Sequence, residues 1–131
     1  MSMDLNVSTV RIKEELRRQW TDQAVKLALM GRWDEAIQAN LNILKIFPDD
    51  IPARNRLGKA YFELGRYEEA IKAYEQTLRQ QPSNNVARKR LEELYPLVNM
   101  DPTTALKNVL GLKIVEEEEE IETEMDEDST D

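Results

Sequence analysis

The sequence predicts an all-α fold, a right-handed stack of two helix pairs closed by a capping helix and followed by a disordered acidic tail. Three observations predict it. The stretch 51–82 recurs after a shift of 34 residues: Gly65 falls on Gly31, Tyr67 on Trp33, Glu69 on Glu35, Ala70 on Ala36, Ile71 on Ile37, Leu78 on Leu44 and Pro82 on Pro48. A fixed period of this length, with steps of three and four inside each unit, is the mark of a helical repeat array. Charge divides the chain: eleven of the 26 acids but one of the 18 bases lie in 113–131, so that segment carries −10 and residues 1–112 carry +2. Finally, aromatic residues make up only 6% of a chain that is 40% hydrophobic, which suits a thin helical layer.

Residues 1–8 carry no pattern and read as an N-terminal segment. Ser8 is a candidate cap for a first helix from about Thr9 to Met30, with Ile12, Leu16, Trp20, Ala24, Leu27 and Ala28 on one face. Gly31 ends it, because glycine accepts the left-handed conformation that closes a helix. A second helix runs from Trp33 to about Ile46, with Ala36, Ile37, Asn40, Leu41, Leu44 and Phe47 inward, and Pro48 stops it. Asp50 caps the third helix, whose first turn accommodates Pro52. Its stripe is Ala53, Leu57, Ala60, Tyr61 and Leu64, and Gly65 ends it. The fourth helix spans Tyr67 to about Gln80, with Ala70, Ile71, Tyr74 and Leu78 inward. Asn84 caps a fifth, the capping helix of 85–99, in which Val86, Ala87, Leu91, Leu94 and Tyr95 are apolar. Asp101-Pro102 opens a short helix over 101–112 that ends at Gly111. Beyond it, the glutamate-rich segment 113–131 holds too little apolar area to offset its ordering entropy.

These two units resemble the tetratricopeptide repeat. The family's preferred positions are filled in the second unit by Arg54, Leu57, Gly58, Tyr61, Ala70, Tyr74, Thr77 and Pro82, with departures at Arg54 and Thr77. In the first they are Trp20, Gln23, Ala24, Leu27, Ala36, Asn40, Ile43 and Pro48, departing at Gln23 and Asn40. The repeats span about 17–50 and 51–84 within a helical domain of 9–100, and Asn85 to Leu97 resembles the first helix of a third unit. The resemblance implies that the first helix of each unit lines a concave groove, with Arg18, Thr21, Val25, Asn55, Lys59, Phe62, Lys89 and Arg90 on its wall. It further implies a peptide or protein partner held there.

The residues themselves exclude much chemistry. With no cysteine and no histidine, the chain has no disulfide, thiolate nucleophile, Cys/His zinc site or imidazole base. It has no phosphate-cradling glycine motif, and its glutamate run lacks the alternating ligands and turn glycine of a calcium loop. We therefore expect no catalysis, no metal and no cofactor. With no signal-like or membrane-spanning run, a cytoplasmic protein is expected, with no membrane partner. The −10 tail opposes nucleic acid as a partner. Two roles are open for that tail, acting on the chain's own groove or on a basic partner, as a chaperone-like shield or nucleic-acid mimic. The cluster Leu106, Val109, Leu110, Leu112 and Ile114 either covers the end of the array or supports weak self-association.

Overall fold

The structure, a computed structural model, describes residues 2–112, and their side chains from residue 7 onward. The disordered tail expected for 113–131 lies outside the described residues, as does Ile114. Among the described residues six α-helices follow one another: α1 Ser2–Leu29, α2 Trp33–Ile46, α3 Ile51–Glu63, α4 Tyr67–Gln80, α5 Asn85–Leu94 and α6 Pro102–Leu110. A short 3₁₀ turn, Tyr95–Val98, joins the last two. Consecutive helices pack against each other, and α6 returns onto α4 as well as α5.

The turns set the register. Gly31 and Gly65 adopt φ of 69° and 75°, which a side chain resists and glycine does not. In both turns the third residue past the helix bonds back five positions, Arg32 N–H to Leu27 O at 3.0 Å and Arg66 N–H to Tyr61 O at 2.9 Å. That bond satisfies a carbonyl the helix end leaves open. The same turn occurs a third time. Asn99, 34 residues after Gly65, has φ 60°, and Met100 N–H bonds to Tyr95 O at 2.9 Å. Asparagine is the residue after glycine that best tolerates this region. The capping helix and the short helix after it therefore pair as a third, abbreviated unit rather than standing as separate elements.

The caps are those the sequence indicates. Asp50 Oδ1 accepts from Ala53 N at 2.9 Å, Asn84 Oδ1 from Ala87 N at 2.9 Å, and Asp101 Oδ2 from Thr104 N at 2.9 Å. Two expectations are corrected. The first helix begins at Ser2, so 1–8 is no separate segment and Ser8 lies inside α1 instead of capping it. Leu41, expected to face inward, is 38% exposed.

Two core clusters meet at Tyr61. One gathers Ala24, Ala36, Ile37, Ile43, Leu57 and Ala60 between α1, α2 and α3; the other gathers Ala70, Ile71, Tyr74, Leu78, Leu91 and Tyr95 between α4, α5 and the 3₁₀ turn. Gly58 is required by a close approach, since a Cβ built on it would stand 2.6 Å from Tyr74 Cε2. Leu106, Val109 and Leu110 pack on the second cluster, so most of the C-terminal apolar group covers the end of the array.

Candidate partner-binding surface

Thr21 on α1, Asn55 on α3 and Lys89 on α5 stand one 34-residue step apart. Asn55 is half-buried and its Oδ1 accepts from the Thr77 hydroxyl at 2.9 Å, which fixes the amide plane and leaves its N–H groups without a partner among the described residues. One turn on, Lys59 is exposed; its Nζ lies 3.3 Å from Glu63 Oε1 and 6.0 Å from the centre of the Trp33 ring. Phe62 is half-buried, its ring 5.8 Å from that of Tyr67 at 45°.

The flanking helices are less exposed in charge than the sequence suggests. Arg18 is bound at 2.8 and 2.7 Å by the two oxygens of Glu15, and this hydrogen bonding holds the Glu15 carboxyl below its ordinary pKa. Arg90 pairs with Glu93 at 3.3 Å. Thr21 is half-buried and Val25 is 38% exposed. Lys89 is exposed and makes no ion pair among the described residues. Arg18, Lys59 and Arg90 each spend their charge on a carboxylate of their own helix, three or four residues away. Such exposed pairs are weak and exchange readily for an incoming carboxylate.

Sequence reasoning missed two apolar groups beside these residues. Leu29, 84% exposed, lies one turn beyond Val25 on α1, and Val86 lies one turn before Lys89 and Arg90 on α5. No sequence signal singled Leu29 out, because its exposure is a property of the folded array.

Residues 51–84 match the tetratricopeptide repeat family. That match covers one repeat unit of the chain. Repeats of this family generally mediate contacts between proteins and are typically non-catalytic. No curated protein matches the chain. The turn that closes the first helix of this unit recurs at the same step, at Gly31 before it and at Asn99 after it. Among the described residues no helix is long and apolar enough to cross a membrane.

Proposed function

We propose that this tetratricopeptide array is a non-catalytic adaptor or scaffold that holds a peptide or protein segment along the face shared by α1, α3 and α5. The observation that carries the reading is the pairing of Asn55 and Lys59 on α3. Asn55 offers an oriented, unspent amide and Lys59 a cation one turn away. Exposed Val25, Leu29 and Val86 on the two flanking helices supply apolar contact. Amide and ammonium donors among apolar groups suit an extended segment with backbone carbonyls and an acidic side chain or terminus. The remaining wall positions, Arg18, Thr21, Phe62, Lys89 and Arg90, extend the contact to either side. In this reading the protein works in the cytoplasm, and the acidic tail modulates what binds.

The charge division favours one second reading: the eleven acids of 113–131 make the chain a chaperone-like or nucleic-acid-mimicking regulator of a basic partner. Affinity capture with the full chain separates the two. The groove reading expects a partner retained by the wild type and lost by Asn55→Ala/Lys59→Ala at unchanged melting temperature. Partners that survive this double variant but dissociate when the tail carboxylates are replaced by amides support the second reading and reject the first.

A further inference from the structure

Two clefts in the array are copies of each other, one repeat apart. One, of about 460 Å³, is lined by Leu57 and Tyr61 of α3 and by Glu69, Lys72, Ala73 and Gln76 of α4, with Arg54 at its edge. The other, of about 350 Å³, has Gln23, Leu27, Glu35, Gln38, Ala39 and Asn42 at the corresponding positions, with Asp34 added. Their charges are opposite. Glu35 and Glu69 are each held by an arginine three residues earlier, Arg32 and Arg66. What remains is Asp34 in the first-unit cleft, and Arg54 and Lys72 in the second-unit cleft.

Arg54 stands where the first unit has Trp20. Its Nη2 donates to Pro48 O at 2.7 Å, while its Nε is buried with no acceptor. Burial also disfavours its charge, lowering its pKa. Lys72 on the opposite wall is exposed and makes no ion pair among the described residues. Between them the floor is Leu57, Ala73 and the flank of Tyr61, a low-dielectric surface on which charge attraction is less screened than in water. The outer N–H groups of the Arg54 guanidinium, a lysine across from it and an apolar floor together make a receptor for a carboxylate.

We infer that the second-unit cleft is a carboxylate-binding site occupied by the chain's own acidic segment 113–131, docked between Arg54 and Lys72. Charge complementarity selects this occupant: eleven carboxylates in nineteen residues, interspersed with Ile121 and Met125. The segment starts from α6, which packs on the face of α4 away from the cleft, so it has to round one helix to reach it. Nineteen residues reach up to about 60 Å, and tethering supplies an effective concentration on the order of millimolar. The site lies on a different side of α3 from Asn55 and Lys59, and stands or falls independently of the proposed groove.

The chain has no cysteine, so Thr123→Cys places a single nitroxide label in the segment without removing a carboxylate. In the full chain, the amide signals of Arg54, Lys72, Ala73 and Gln76 are expected to lose intensity relative to the reduced label. Lys72→Gln, an exposed change that leaves the fold intact, and Arg54→Gln should each restore them. So should salt at about 1 M, where the Debye length is about 3 Å. Loss centred on Thr21, Asn55 and Lys89, loss centred on Gln38 and Asn42, or no loss at all overturns the assignment. If the loss appears only when labelled chain is mixed with isotope-labelled, cysteine-free chain, the contact is between copies and the intramolecular site is rejected.

Discussion

The first and second units share a backbone but not a core. Their turns and their second helices superpose at the 34-residue step, α2 and α4 each spanning 14 residues, yet the pair that fills the space between helices is Ala24 with Asn40 in one and Gly58 with Tyr74 in the other. Both Asn40 and Tyr74 are buried, 0% and 2% exposed. Tyr74 fills its site with a ring laid against the glycine. Asn40 fills it with hydrogen bonds, Nδ2 donating to Ala36 O at 2.9 Å and Oδ1 accepting from Arg56 Nε at 3.0 Å. Arg56 is half-buried, and burial lowers its pKa against the pull of Asp50. Asp50 in turn accepts from Arg17 Nε at 3.0 Å, and the Arg17 guanidinium sits 4.6 Å from the Phe47 ring centre. A repeat thus tolerates exchange of aromatic volume for a polar network when the smaller partner residue changes with it and the buried amide finds partners.

The largest effect that tests this comparison is Gly58→Ala. The added Cβ meets Tyr74 at 2.6 Å, and overpacking of this kind costs about 2–3 kcal/mol. Adding Tyr74→Asn to it recreates the first-unit pair and should cost less than the sum of the two single losses, read as coupling in a double-mutant cycle of thermal melts. Full additivity would mean that the two positions are not one packing unit.

Next come the two caps. Asn84→Ala removes one capping bond, worth about 1 kcal/mol. Asp50→Ala removes the same bond and also strands Arg17 and Arg56, so about 2–3 kcal/mol is expected from denaturant melts. Equal losses would remove Asp50 from the charged network. A smaller effect is one of pH. Burial pushes the Tyr74 hydroxyl up to about 12, and pushes Tyr95 up as well, where Glu75 accepts its hydrogen bond at 2.8 Å. The folded state therefore holds these protons more tightly than the unfolded chain. Stability is fully present below pH about 10 and falls between about 10 and 12, by on the order of 1–2 kcal/mol for Tyr74. Tyr74→Phe should flatten that part of the profile, and an unaltered slope would contradict its burial. The smallest effect belongs to Glu35→Gln and Glu69→Gln, which break the equivalent exposed turn pairs and should move the melting temperature barely and equally.

Much of this was legible in residue order because the signals were local. Gly31, Gly65, Pro48, Pro82, Asp50 and Asn84 each act within a few residues, and α2 and α4 span the expected ranges. The second helix of the third unit escaped because Asn99 replaces the turn glycine and Asp101-Pro102 resembles the start of an unrelated helix. The N-terminal turns of α1 escaped because residues 2–7 have no apolar period to mark them. Of the site, the chemistry of Asn55 and Lys59 was visible, but their anchoring by Thr77 and Glu63 was not. Only the folded array brings Arg54 opposite Lys72.

The most direct test of the shared binding face places a photo-reactive side chain at Thr21, Asn55 and Lys89 in separate full-length proteins, and at Gln38 and Lys72 as controls. The account predicts one common partner adduct from the first three and none from the controls. An adduct confined to Gln38 or Lys72, or equal at all five, would contradict a continuous face across α1, α3 and α5.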